Sequence, residues 1–149
     1  YRKETEMKHP DFKLLGIDHV VLRVHQLESM LRFYRDVLGC DLVRKNEELG
    51  LYHLAAGSSL IDLIPVEMKL GKKGGKPPER EGHNVDHIAI KIRPFNGPSI
   101  IRYLLSKGIE AGNVEIRFGA DGIGPSIYLK DPEGNGIELK GISDIAKDK

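Results

Sequence analysis

The sequence predicts an α+β fold built from two tandem modules, each with the order strand-helix-strand-strand-strand. A short segment occurs twice: residues 18–24 are Asp-His-Val-Val-Leu-Arg-Val, and residues 86–92 are Asp-His-Ile-Ala-Ile-Lys-Ile. A stretch with helical spacing and a glycine follow each copy. Each copy also contains a later apolar strand with a single acid, Asp62 in the first and Glu138 in the second. This recurrence indicates an internal repeat.

Size and composition limit the possible functions. The chain has 149 residues, of which 40% are hydrophobic, which is enough for one compact unit or two small repeats. A formal net charge of +1 gives no general reason to expect nucleic-acid binding. No run approaches the roughly 20 apolar residues that a membrane span needs. The single cysteine, Cys40, excludes an internal disulfide and is consistent with a cytoplasmic protein.

Composition also indicates where the modules and the segments around them begin and end. Residues 1–13 are charged and aperiodic and are predicted to form an N-terminal lead-in. The first module is assigned to residues 14–67 and the second to residues 83–142, with a polar tail at 143–149. Between the modules, residues 68–82 hold closely spaced glycines and then Pro77-Pro78, which is typical of a solvated linker.

The first strand of each module separates an apolar face from a mixed face, because side chains alternate along a strand. The apolar faces consist of Val20, Leu22 and Val24 in the first copy and Ile88, Ile90 and Ile92 in the second. The opposite faces hold a histidine and a cation in both copies: His19 with Arg23, and His87 with Lys91. We expect the apolar faces to pack on helices and the mixed faces to line a cavity.

A helix follows each of these strands. The first is predicted from Leu27, Met30, Leu31, Tyr34, Val37 and Leu38, which recur at helical spacing, and Gly39 should end it. The second is predicted from Ile100, Ile101, Leu104 and Leu105. Pro98 suits the first helical position, and Gly108 suits the end.

The remaining strands are shorter. Candidates are residues 52–54 and 60–64 in the first module and 114–118, 126–129 and 136–139 in the second. Residues 131–135, Asp-Pro-Glu-Gly-Asn, form a strong turn signal that should join the last two strands as a hairpin. The glycine-rich residues 119–124 match neither a P-loop nor a dinucleotide-binding motif, and we expect a flexible loop there.

Both acids fall on the faces that carry the histidines. Asp62 lies between Ile61 and Leu63, and Glu138 lies between Ile137 and Leu139, so each acid points away from its apolar neighbours. A buried, unpaired carboxylate is unfavourable, so such acids need a cation or strong hydrogen bonds. Two imidazoles and two carboxylates form a suitable ligand set for one divalent metal ion such as Zn, Ni, Fe, Co or Mn.

These motifs resemble the vicinal oxygen chelate superfamily, which includes glyoxalase I, methylmalonyl-CoA epimerase, extradiol dioxygenases, fosfomycin-resistance thiol transferases and bleomycin-resistance proteins. The matching segments are residues 18–20, 33–39, 86–89 and 131–139, and together they span roughly residues 14–142. The resemblance implies two βαβββ modules that form a curled, cavity-enclosing mixed sheet with the helices outside. It also implies the metal ligands His19, Asp62, His87 and Glu138.

The resemblance further implies a homodimer with a small-molecule substrate. The modules of this superfamily pair either within a chain or across a dimer. In the second arrangement, His19 and Asp62 of one chain join His87 and Glu138 of the other. One departure concerns Asp62, because glyoxalase I has Glu there and the epimerase has Gln, and Asp is one methylene shorter than Glu. The dioxygenases and fosfomycin enzymes use three ligands and need none at this position.

Three further side chains are candidates for substrate binding. Arg23 follows His19 by four residues on the same face, and an Arg at this spacing in glyoxalase I binds a carboxylate of glutathione. A guanidinium group suits this task because it holds a carboxylate through two hydrogen bonds. His53 and Tyr128 occupy equivalent strands of the two copies, and the sequence leaves open whether they face the cavity.

The resemblance favours a metal-dependent lyase or isomerase of the glyoxalase I type. A substrate with two neighbouring oxygens, such as a glutathione hemithioacetal, would react through an enediolate, and Glu138 or Asp62 would move the proton. The alternatives are an acyl-CoA epimerase, an Fe(II) extradiol dioxygenase, a thiol transferase, or a metal-free protein that sequesters a ligand. Substrate and metal identity stay open.

Overall fold

Two four-stranded sheets, one for each predicted module, form the framework of the protein. The computed structural model describes residues 10–142, so residues 1–9 of the predicted lead-in, with His9, and the predicted tail at 143–149 lie outside the described residues. The first module contains β1 (His19–Val24), α1 (Leu27–Arg32), β2 (Asp41–Asn46), β3 (Leu51–Ala56) and β4 (Ser59–Pro65). The second contains β5 (His87–Ile92), α2 (Gly97–Ser106), β6 (Glu115–Gly119), β7 (Gly122–Lys130) and β8 (Gly136–Gly141).

The two sheets have the same topology. The strand orders are β1-β4-β3-β2 and β5-β8-β7-β6, so the first strand of each module is an edge strand beside the last. β1 pairs with β4 in parallel, as β5 does with β8, and the other pairs are antiparallel. The predicted α+β class with two repeated modules is therefore confirmed. The sheets are curled and do not close into a barrel.

The core lies between the apolar strand faces and the helices, as the alternation predicts. Leu22 and Val24 of β1 are fully buried, together with Met30 of α1 and Leu54 of β3, while Ile137 of β8 is fully buried in the second module. Buried side chains from both modules form one cluster. Full burial of such a side chain stabilises the fold by about 1.5–3 kcal/mol. The opposite strand faces remain available for a site.

Both helices form close to their predicted positions. α1 continues as a π-helix over Phe33–Val37, and Gly39 follows with φ of 83°, which suits a glycine at a helix end. The N-terminus of α2 is capped by the side chain of Asn96, which accepts a hydrogen bond from the Ser99 amide at 3.0 Å. Pro98 is the second helical residue, one position later than predicted.

The glycine-rich segment at residues 119–124 differs from the sequence expectation. The prediction of a flexible loop is wrong, because β6 and β7 form a tight hairpin in which Gly119 pairs with Gly122. Gly122 has φ of 100°, and a residue without a Cβ adopts that conformation without strain. On β6, Ile116 and Phe118 are 62% and 82% exposed, so the outer end of this hairpin is not part of the core.

The predicted linker is anchored to the first module at its start, while residues 72–76 are exposed. Gly71–Gly74 form a 3₁₀ turn in which Gly71 is buried beside the end of β4. A Cβ at Gly71 would overlap the backbone carbonyl of Pro65, so only glycine fits there. The segment therefore folds back on the first module before the chain continues to β5.

Polar contacts connect the two modules. The predicted turn at residues 131–135 does join β7 to β8, and it forms hydrogen bonds with residues of the first module. The hydroxyl of Tyr34 donates to the carboxylate of Asp131 at 2.8 Å. The Glu133 carboxylate accepts hydrogen bonds from the amides of His25 and Gln26, each at 2.8 Å. The turn thus has a structural role in addition to ending the hairpin.

The helices of the described part of the chain are short. Among residues 10–142, none is long and apolar enough to cross a membrane.

Candidate metal centre

In the first module, strand alternation places His19, His53 and Asp62 on one sheet face. Asp62 pairs with His53 across β3 and β4, and its side chain is almost completely buried, with 2% of the residue exposed. One carboxylate oxygen is 2.8 Å from His53 Nδ1, and the other is 3.9 Å from His19 Nε2. The buried carboxylate is therefore held mainly by His53.

The second module repeats this layout with different partners. Glu138 is 4% exposed, and its Oε1 is 3.2 Å from His87 Nε2. Its other oxygen accepts a hydrogen bond from the Ser126 hydroxyl at 2.7 Å. Tyr128 is the register partner of Glu138 on β7, and its ring packs edge-on against the His87 ring. Three side chains thus surround one carboxylate on this face.

The environment of Glu138 favours its ionised form. Burial by itself raises the pKa of the carboxyl group, but hydrogen bonds from Ser126 and Tyr128 and the nearby charges of His87 and Lys140 outweigh it. The net result is a pKa below the usual value. Glu138 is therefore a negatively charged carboxylate at neutral pH.

Two aspartates orient the predicted histidine ligands. Asp18 and Asp86 each have a carboxylate oxygen 2.7 Å from Nδ1 of the following histidine, His19 and His87. The hydrogen bond to Asp18 raises the pKa of His19, although burial opposes the shift and the charge of Asp62 adds to it. A carboxylate on Nδ1 leaves Nε2 available for a metal ion, which is a common arrangement in metal sites. The Asp-His repeat is visible in the sequence, but the pattern alone does not indicate that these aspartates contact the histidine rings.

The four predicted ligands are brought together as two pairs. His19 lies near Asp62, and His87 lies near Glu138, as the repeat implies. Among residues 10–142 of one chain, no three His, Cys, Asp or Glu side chains lie close enough together to hold one metal ion. Each pair combines an imidazole nitrogen with a carboxylate oxygen, which is donor chemistry that suits a divalent metal ion.

His53 and Tyr128 occupy matching places in the two modules. His53 is opposite Asp62, and Tyr128 is opposite Glu138, in the same strand register. Both side chains therefore lie on the face of the predicted ligands, which the sequence had left open. Their substrate-binding role stays a prediction.

Arg23 is engaged with the linker. Its guanidinium group donates five hydrogen bonds, of 2.7–3.2 Å, to backbone carbonyls, and the acceptors are Gly71, Gly74, Gly75 and Lys76. In this arrangement the group anchors residues 71–76 to β1. Its predicted role as a carboxylate anchor for the substrate stays a prediction.

The Arg23 contacts predict a local effect on the linker. Replacing Arg23 by Met removes all five hydrogen bonds, and hydrogen bonds from a charged donor contribute about 1.5–3 kcal/mol each. Amide hydrogen exchange at residues 71–76 is expected to become about tenfold faster or more, because each 1.4 kcal/mol changes an opening equilibrium tenfold. An Arg44→Met variant controls for loss of a surface cation. Unchanged exchange in the Arg23 variant would show that the linker is held by other contacts.

Two clefts lie next to His87 of the His87–Glu138 pair. A cleft of about 610 Å³ lies between the β3–β4 turn and β5, and His87 forms part of its lining. A second groove of about 670 Å³ is lined by His87 and Tyr128. A small molecule can therefore reach the His87 side of the sheet.

The fold agrees with comparisons to known proteins. A sequence model described as the Glyoxalase/Bleomycin resistance protein/Dioxygenase superfamily matches residues 16–139. The virulence protein STM3117 of Salmonella typhimurium is 35% identical over 127 residues, which is 83% of this chain and 81% of that protein. Its crystal structure has a TM-score of 0.74 and covers 89% of this chain and 100% of that one, at 28% identity.

Several other relatives have enzyme names, among them a dioxygenase and a lyase. Biphenyl-2,3-diol 1,2-dioxygenase 3 of Rhodococcus globerulus is 33% identical, over 82% of this chain and 60% of the dioxygenase. This chain therefore spans less than two thirds of that enzyme. Lactoylglutathione lyase of Haemophilus influenzae is 28% identical, over 84% of this chain and 91% of the lyase.

Proposed function

The chain belongs to the Glyoxalase/Bleomycin resistance protein/Dioxygenase superfamily, and from this premise we propose that it is a metal-dependent enzyme for a small substrate with two neighbouring oxygens. The observation that supports the proposal most directly is the repeated pairing of a histidine with a buried carboxylate. In both copies an aspartate contacts Nδ1, so Nε2 faces the acid of the same module and can serve as a metal ligand.

The proposed site is assembled from two chains. His87 and Glu138 of one subunit provide a nitrogen and an oxygen ligand, and His19 of the other subunit provides a second nitrogen. Separation of the pairs within one chain supports this arrangement, because no three ligands meet among the described residues of a single subunit. The functional unit would be a homodimer with two equivalent sites, as two-fold symmetry requires.

The proposed reaction is an isomerisation of the glyoxalase I type, with a glutathione hemithioacetal as the substrate to test first. A bound Ni, Zn, Co, Fe or Mn ion would act as a Lewis acid for the charge that develops on the substrate oxygens. One carboxylate of the site, Glu138 or Asp62, would take the proton from the substrate carbon and return it. The lyase among the relatives supports this choice of substrate.

The test is metal analysis combined with an activity assay. Protein purified without chelators or metal-affinity resin is expected to contain about one metal ion per chain, since a dimer has two sites. Protein loaded separately with each of the five metals is then assayed for hemithioacetal isomerisation. Activity with Ni, Zn or Co would support the lyase assignment. No turnover with any of the five would exclude this substrate.

A second candidate, an Fe(II) dioxygenase that opens catechol rings, is favoured by the environment of Asp62. Its carboxylate is bonded to His53, which leaves His19, His87 and Glu138 as a set of two histidines and one carboxylate. That set is typical of non-haem Fe(II) oxygenases. Ring cleavage and oxygen uptake with iron alone would select this candidate. Binding without turnover by metal-free protein would select a ligand-sequestering role instead.

A further inference from the structure

The contact between His53 and Asp62 is unlike the other histidine-acid contacts of the centre. Asp62 is buried to 98% of its surface, and its Oδ1 lies 2.8 Å from His53 Nδ1. The His53 side chain is 19% exposed, so it lies between the buried carboxylate and the solvent-facing side of the sheet. An oriented imidazole backed by a buried carboxylate is an arrangement that enzymes use for proton transfer.

Side-chain length explains why Asp62 differs from Glu138. Glu138 reaches to 3.2 Å from the Nε2 of its histidine, whereas the shorter Asp62 stays 3.9 Å from Nε2 of His19. Asp62 instead bonds a ring on the neighbouring strand, where the second module has Tyr128. The equivalent positions of the repeat have therefore diverged into two different pairs, His53–Asp62 and Tyr128–Glu138.

The second nitrogen of His53 is in contact with solvent. Nδ1 makes the only hydrogen bond found for this ring among residues 10–142. Every buried side-chain nitrogen or oxygen in the described part of the chain has a partner, so the unpartnered Nε2 must be in contact with solvent. When Nδ1 donates its hydrogen to Asp62, Nε2 of the neutral ring presents a lone pair.

We propose that Asp62 is a positioning residue that orients His53, and that Nε2 of His53 transfers the proton of the reaction. This inference rests on the proposed isomerase function, and it assigns the proton transfer to His53 in place of Glu138 or Asp62. Nε2 accepts the proton from the substrate carbon, and the electrons of the broken C–H bond form the double bond of the enediolate. The same nitrogen then returns the proton to the neighbouring carbon. The hemithioacetal hydroxyl becomes the thioester carbonyl and its proton passes to the oxygen on that neighbouring carbon, so no oxidant or other reactant is consumed. Asp62 keeps its negative charge throughout and stabilises the imidazolium.

The first test separates a positioning residue from a metal ligand. Asp62→Asn protein is expected to retain the zinc content of the wild type, whereas Glu138→Gln protein should lose it. In ¹⁵N NMR spectra of the zinc-loaded dimer, the His53 ring should carry its proton on Nδ1, and Asp62→Asn should shift this equilibrium towards Nε2–H. A His53→Gln variant identifies the ring signals. Loss of zinc in Asp62→Asn, or a wild-type ring protonated on Nε2, would overturn the proposal.

The second test measures turnover of the hemithioacetal. His53→Gln is expected to lower kcat by about 100-fold to 10,000-fold with little change in KM, because proton transfer by a placed group contributes that much. His83→Gln, which removes an exposed histidine, should leave kcat unchanged. Wild-type kcat in His53→Gln would overturn the proton-transfer role. If the wild-type protein does not turn over the hemithioacetal, the proposed isomerisation is wrong. The zinc content and the ring tautomer would then still show whether Asp62 positions His53.

Discussion

Replacing Glu138 by Gln is expected to lower the metal content of the purified protein from about one ion per chain to less than about a tenth of that. Glutamine matches the shape of the side chain and can still accept a hydrogen bond from Ser126. It lacks the negative charge that a divalent cation requires at this position, where the pKa of the carboxyl group lies below its usual value. Metal content measured by mass spectrometry on the purified variant tests this expectation.

Two controls make the result specific. Glu115→Gln removes an exposed carboxylate from the same sheet and should leave the metal content unchanged. Circular dichroism should show that Glu138→Gln retains its secondary structure. A folded Glu138→Gln protein with wild-type metal content would show that this residue is not a ligand.

Replacing Asp131 by Ala is expected to lower the free energy of unfolding by about 3–5 kcal/mol. The buried carboxylate accepts four hydrogen bonds, from the Tyr34 hydroxyl, the Glu133 and Asn135 amides and the Asn135 side chain. Burial is the main reason that the pKa of Tyr34 is raised far above its usual value, so its hydroxyl keeps its proton and remains a donor. Without Asp131, several donors are left buried without an acceptor.

Urea unfolding measures this loss. Asp36→Ala, which removes an exposed aspartate at the end of the first helix, serves as the control and should change stability by less than about 0.5 kcal/mol. Tyr34→Phe should show a smaller loss than Asp131→Ala, because it removes one of the four hydrogen bonds. Equal stability of Asp131→Ala and Asp36→Ala would mean that the turn does not connect the modules as described.

The repeat made most of the fold predictable. Alternation in the two Asp-His strands predicted the faces on which His19 and His87 lie, and the isolated acids placed Asp62 and Glu138 beside them. These predictions concern residues that are close in sequence or lie on adjacent strands, and the alternation of side chains indicates which of them share a face. The same logic placed His53 and Tyr128 on equivalent strands, and the register confirms that equivalence.

Contacts between distant segments were not predictable in this way. The five hydrogen bonds of Arg23 to the linker join residues about 50 positions apart, and no local pattern encodes them. The tight turn between β6 and β7 was missed because six residues rich in glycine suggested a loop, although two of these glycines pair across the hairpin. Asp62 is one methylene shorter than a glutamate would be, and its carboxylate contacts His53 at 2.8 Å. The sequence shows the shorter side chain but does not indicate that His53 is its partner.

The central claim is that one metal site combines His19 of one subunit with His87 and Glu138 of the other. The most direct measurement is the metal content of an equimolar mixture of His19→Ala and Glu138→Gln proteins after subunit exchange, when each variant alone binds no metal. Random pairing makes about half of the dimers hybrids, and each hybrid has one intact site, so about a quarter of the wild-type metal should return. A mixture of His87→Ala and Glu138→Gln should regain none, because every site then has a defect. No recovery in the first mixture would contradict a site shared between subunits.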